Sequence, residues 1–258
     1  MSSDDTVLHA YGVLPAASGV ELPGHGIDGA RVELVEANGL AVLVSRLHRT
    51  RYGEDAWLSH AEDPDWLAAF ATQHQEVLGA VATTSDVLPF RIPGMYDDEG
   101  RLLEVLEAEH DLLRGGLQAI AGHVEWGVQI FLTGQPDEEP AEQPRSGKDY
   151  LRRRSAEVGS RERAAEVRRS RVLDAYETIA DASTRSAVNP PQDPALSKRS
   201  EPMLLNSAHL VPRDRAEPFF AMLGEVQETL RDAGMVVEVS GPWPAYNFVD
   251  LATEELQA

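Results

Sequence analysis

The sequence predicts an α+β protein of two domains, and three observations carry that reading. Alternating β-type runs and amphipathic helical runs occur in both halves of the chain. Its 258 residues, 42% of them hydrophobic, suffice for one large domain or two of ordinary size. The second half reads strand, long helix, possible strand, strand, helix, strand, the order of a split βαβ, ferredoxin-like arrangement.

The elements follow in order. Residues 6–14, TVLHAYGVL, alternate and hold β-formers, so they predict a strand. Residues 30–47, ARVELVEANGLAVLVSRL, predict a hairpin around the turn dipeptide Asn38-Gly39. A helix follows, with Asp63 or Asp65 as cap, Pro64 in the first turn, and Trp66, Phe70, Val77 and Val81 at helical spacing. DVLPFRI (86–92) predicts a short strand whose Pro89 suits an edge or bulge. Residues 97–122 predict a second amphipathic helix, striped by Leu102, Leu106, Leu113, Leu117 and Ile120 and stopped at Gly122.

HVEWGVQIFL (123–132) predicts a buried strand, so the boundary is placed near residue 122, giving domains 1–122 and 123–258. Flexible loops are expected at about 133–147 and 186–202, where Pro, Glu and Gly gather. Between them lies a long Arg-rich helix, 148 to about 185. Leu151, Val158, Ala165, Val172 and Ile179 fall at intervals of seven, but their companions are Ser, Glu, Arg and Tyr. That describes one narrow packing stripe and not a coiled-coil seam. A strand (203–211), a helix (215–233) and a strand (235–240) precede GPWPAYNFV (241–249). Those nine residues predict a kinked terminal strand, with Tyr246 and Phe248 on one face, covering the helices' apolar faces.

Charge narrows the function classes. The net charge is −20, from 23 basic and 43 acidic residues. Nucleic-acid binders concentrate a basic footprint, so phosphate-backbone binding is not the expected role. Residues 145–171 nevertheless carry ten basic and four acidic residues, which leaves −26 on the rest of the chain. That positive segment suits a solvated helix with internal Glu–Arg pairs, or a docking contact on an acidic neighbour. With no cysteine, disulfides, thiolate zinc sites and a thiolate nucleophile are excluded. The N-terminus lacks signal-peptide character and no apolar run approaches the ~20 residues of a membrane span, so a cytosolic protein is expected.

Motifs for catalysis are weak. GHGIDG (24–29) matches G-x-G-x-x-G formally, but it leads into a strand, so no helix dipole would face a phosphate. EAEH places Glu107 and His110 at the E-x-x-H spacing of di-iron bundles without the second such pair that chemistry needs. His74 falls on the apolar side of its helix, where a core histidine is the default. No catalytic residue, cofactor or metal site is predicted.

LLNSAHLV (204–211), followed by GPWPAYNFV, resembles the C-terminal signature of the gas vesicle protein F/L family. AYGVL, GIDGARVELVEANGLAVLVS, LPFRIPGMY and EWGVQIFL are similar to that family's other blocks, in the same order. LPFRIPGMY departs most, with Pro93 ahead of the glycine. The resemblance implies a non-enzymatic, two-domain α+β accessory protein of gas vesicles, one domain being ferredoxin-like. It would associate with the small hydrophobic wall protein and other accessory proteins, without nucleic acid or membrane. The contact candidates are Arg152, Arg153, Arg154 and Arg161 on the long helix and Trp243 and Tyr246 at the aromatic terminus. GPWPAYNFV would then end the second domain's sheet and seal its core. The alternative is a small-molecule-binding regulator or enzyme using a cleft between domains.

Overall fold

Residues 5–133, 147–192 and 199–249 are described in the computed structural model, with backbone alone over 147–157. The chain divides into two compact units, Met1–Glu125 with Gly241–Ala258 and Trp126–Ser240.

In the first unit, β1 (Thr6–Pro15) is buried at every residue but the last. A strand covered on both faces cannot alternate polar with apolar, which explains its near-continuous hydrophobic run. It pairs antiparallel with β3 (Leu40–His48), which pairs with β2 (Val32–Ala37) through the expected hairpin. Asn38 and Gly39 have φ of 52° and 81°, the left-handed pair that a two-residue turn of matching twist requires. Two short helices, α1 (Arg49–Tyr52) and α2 (Glu54–His60), fill a stretch for which no element was predicted. In α3 (Pro64–Ala82), the Asp63 carboxylate accepts from the Asp65 and Trp66 N–H groups, and Pro64 opens the first turn.

The strand expected at 86–92 shrinks to β4 (Leu88–Pro89), followed by β5 (Met95–Tyr96), both against β1. An added Cβ on Gly12 would stand 2.6 Å from the Leu88 carbonyl oxygen, so glycine there lets β4 approach. The single helix expected over 97–122 is two, α4 (Glu99–Ala108) and α5 (His110–Ile120). Glu109, at φ −101° and ψ 11°, leaves helical geometry while its N–H still closes α4 onto Val105. Glu107 and His110 therefore stand on different helices. The unit's core joins Tyr11, Leu14, Ile27, Leu43, Phe70 and Leu78.

The second unit has a four-stranded sheet in the order β7–β8–β6–β9: β6 (His123–Leu132), β7 (Arg185–Val188), β8 (Met203–Pro212) and β9 (Met235–Trp243). Its helices are α6 (Gly147–Asp181) and α7 (Ala216–Arg231). α6 packs on α7 and β8 through Val172, Ala175, Tyr176 and Ile179, joining Val128, Ile130, Phe219 and Leu223 in the core. Of the stripe expected at intervals of seven, Val172 and Ile179 pack here while Val158 and Ala165 are exposed, and the Leu151 side chain lies outside the described residues. Arg185–Val188, where the helix was expected to end and the loop to begin, forms the possible strand of the expected order and pairs with Ser207–Leu210. Residues 134–146 and 193–198 of the predicted loops lie outside the described residues.

The C-terminal aromatic stretch departs from expectation. Gly241 to Trp243 complete β9, but the chain then turns, with Tyr246 N–H to Pro244 O at 2.7 Å and Phe248 N–H to Ala245 O at 3.2 Å. Tyr246 and Phe248 thus share no strand face. Tyr246 packs on the first unit's core, so the stretch does not seal the second.

Candidate functional site

The chemistry-bearing side chains fall into two classes: sealed polar networks and an exposed cationic helix face. In the first unit, His9 Nδ1 lies 2.8 Å from the Pro93 carbonyl oxygen and its Nε2 lies 2.9 Å from His74 Nδ1. A carbonyl can only accept, so His9 carries its proton on Nδ1 and accepts from His74 Nδ1–H. His74 Nε2 is then a buried acceptor without a hydrogen-bond donor. The rings are 0% and 1% exposed, with Tyr11 and Phe70 edge-on to His9. Burial lowers His74 to about 4, the Phe90 backbone opposing it, and holds His9 well below its ordinary value with the His74 charge as second cause.

Beside this pair, Tyr11 OH donates to Ser45 Oγ at 2.9 Å and accepts the Ile27 N–H at 3.0 Å, while Ser45 Oγ donates to Arg31 O. A Cβ on Gly26 would stand 2.1 Å from Tyr11 OH. The GHGIDG glycine therefore admits a phenol, not a phosphate, and only a 3-10 turn, Ile27–Gly29, follows it.

The second unit seals His209 similarly. Ser207 Oγ donates to Val128 O, so it accepts from His209 Nε2–H at 2.9 Å. His209 Nδ1 faces Ser186 Oγ at 3.0 Å and Ser183 Oγ at 3.3 Å. Burial lowers this histidine to about 4. Serine and histidine are in reach of each other, but the ring is 0% exposed and no substrate can reach it. Among the described residues, no group of three or more His, Asp or Glu is placed to hold a metal.

The predicted contact residues occupy different settings. Arg161 is exposed on α6 in the second unit. The side chains of Arg152, Arg153 and Arg154 lie outside the described residues. Trp243 and Tyr246 belong to the first unit and are half-buried, with the Tyr246 hydroxyl sunk out of solvent and its pKa raised by burial. The stretch holding them is anchored by a residue the sequence did not flag. Buried Glu125 accepts from Asn247 N–H at 3.0 Å and Asn247 Nδ2–H at 2.6 Å. Burial raises its pKa against those two bonds. Nothing local in the sequence signals a pair 122 residues apart.

The exposed class is α6 before Val172. Between Val158 and Arg171 no residue is buried, and the stretch holds Arg161, Arg163, Arg168, Arg169 and Arg171 against Glu162 and Glu166. Val158 is 49% and Val167 54% exposed. Where α6 meets α7, a cavity of about 240 Å³ opens between Arg171, Asp174 and Thr178 on one side and Met222, Glu225 and Thr229 on the other. This stretch is a solvent-facing helix surface of net positive charge.

The family model for "Gas vesicle synthesis protein GvpL/GvpF" matches residues 7–250. The chain is 33% identical over 264 aligned residues to gas vesicle protein L of Streptomyces sp. (strain CB03234), covering 98% of this chain and 97% of that protein. It is 27% identical to gas vesicle protein F2 of Halobacterium salinarum, covering 95% and 92%. The crystal structure of GvpF from Anabaena sp. PCC7120 superposes with TM-score 0.63 at 17% identity, over 96% of this chain and 98% of that one. GvpF from Microcystis aeruginosa gives TM-score 0.65 at 16% identity, over 95% and 99%. The chain thus has the GvpF fold, and with the family match across nearly its whole length it belongs to the gas vesicle synthesis protein GvpL/GvpF family.

Proposed function

We propose that this protein is a non-enzymatic accessory of gas vesicle assembly that binds the small hydrophobic wall protein, another accessory protein, or both. The observation that carries this reading is the solvent-exposed arginine face of α6 on a chain of net charge −20, in a member of a gas vesicle synthesis family. A wall subunit with a water-excluding face is an aggregation hazard until it is incorporated. A strongly charged carrier keeps such a complex in solution. In this reading Arg152, Arg153, Arg154 and Arg161 supply the cationic contact, and Trp243 and Tyr246 are a second contact. The second unit is read as ferredoxin-like from its element order and from β6 lying between β8 and β9.

The test is co-expression with the small wall protein, followed by separation of soluble complex from pellet. Capture predicts a soluble complex that weakens when Arg152, Arg153, Arg154 and Arg161 are all changed to Glu. A wall protein that pellets alone beside soluble wild-type chain refutes direct capture. Undiminished capture by the four-fold variant removes α6 from the contact.

A further inference from the structure

We propose that the exposed part of α6 docks an acidic amphipathic α-helix of another protein side by side along its stripe; this rests on the reading of α6 as the partner contact. The stripe is the continuation of a face whose packing is already visible. At its C-terminal end, α6 buries Ala175 and Ile179 and half-buries Val172 and Tyr176 against α7 and the sheet. Steps of seven back from Val172 lead to Ala165 and Val158, and steps of seven back from Ala175 lead to Arg168 and Arg161. The row that is apolar where the helix is covered therefore becomes cationic where it is bare, and the neighbouring row stays small and apolar.

The geometry selects the occupant. Residues 158–171 span about 21 Å at 1.5 Å per residue, and both rows repeat at seven along that length. A partner meeting two straight seven-residue rows at once needs the same repeat, which a second α-helix supplies. Small apolar residues at Val158 and Ala165 allow close approach, and the arginine row requires carboxylates opposite. A second copy of this chain is a poor occupant, because its own arginine row would face Arg161 and Arg168 with like charge. Nucleic acid would engage the arginines without using the apolar row.

The probe is a synthetic helical peptide of about four heptads with Leu on one seven-residue row and Glu on the adjoining one. A scrambled peptide of identical composition and a short DNA duplex are the comparators. Binding to the full chain is read by fluorescence anisotropy. The patterned peptide should bind at least about tenfold tighter than the scrambled one. R161E/R168E should lose that preference, while a peptide with Lys in place of Glu should bind the variant better than wild type. Arg161 is exposed and Arg168 half-buried, and an unchanged melting curve certifies the variant's fold. Equal affinity for the scrambled peptide, tighter binding of the duplex, or an unaffected variant each overturns the proposal. Co-expression with the wall protein, run in parallel, separates the two readings. If capture persists while the patterned peptide fails, the side-by-side docking alone is wrong; if the peptide binds and no gas vesicle protein is captured, the assembly role is wrong.

Discussion

Lowering the pH from 7 to 5 should cost this protein about 4 kcal/mol of folding stability through His74 and His209 alone, two histidines that are buried neutral. His74 and His209 are held near 4 in the folded chain against 6.5 when unfolded, with burial as the cause in each. Below pH 6.5 the unfolded chain takes up these protons and the folded chain does not, so stability is complete above 6.5 and falls as pH drops toward 4. From 6.5 to 5 each independent site loses about 2 kcal/mol, at about 1.4 kcal/mol per pH unit. His9 is lowered too, and because the unfolded chain protonates it independently of His74, its share adds to that of the other two. Glu125 acts oppositely: its raised pKa costs stability as pH rises above its unfolded value, so acidification relieves it and trims the loss. No other ionisable side chain is hydrogen-bonded to these rings among the described residues; their partners are the Pro93 carbonyl and three serines. Urea unfolding followed by tryptophan fluorescence at pH 7 and pH 5 measures the loss. H209N should remove the second unit's share, leaving about 2 kcal/mol from His74 together with the share of His9. Urea midpoints that do not move between pH 7 and 5 would refute the reasoning, as would an H209N variant with undiminished pH sensitivity.

G26A should destabilise by about 2–3 kcal/mol, because its methyl would meet the Tyr11 hydroxyl at 2.1 Å. Y11F should relieve that clash, so the G26A/Y11F pair should be less than additive in a thermal-melt double-mutant cycle. N247A removes one of two donors to buried Glu125 and should cost about 1–3 kcal/mol, more at pH 8 than at pH 5, since only the ionised carboxylate needs the donor. Its melting curves at the two pH values measure this. R46A, by contrast, breaks exposed pairs with Glu33 and Glu99 and should shift stability by less than about 1 kcal/mol in the same assay.

Much of the fold was legible locally. The Asn38-Gly39 turn, the Asp63 cap, the strands at 6–14 and 123–132 and the long helix each rest on a few neighbouring residues whose backbone preferences agree with the final structure. What misread was set by burial. The break at Glu109 interrupts a sequence whose apolar spacing suits one continuous helix. The seven-residue stripe of α6 is unbroken in sequence, yet among its described side chains Val172 and Ile179 pack inside the unit while Val158 and Ala165 are exposed. Pattern states which face is apolar and is silent about how far anything covers it.

The candidate site divides along the same line. The sequence by itself determined that 145–171 is a cationic segment on an acidic chain, running into a long helix, and that no catalytic motif accompanies it, because charge and spacing are one-dimensional properties. Only the tertiary structure decided that Tyr246 packs on the first unit's core, that Asn247 hangs on Glu125, and that His9 and His74 share a hydrogen bond. Those contacts join residues 65 to 122 positions apart. Local preferences act over a few residues, whereas long-range partners are chosen by which buried polar groups the whole packing leaves to be satisfied.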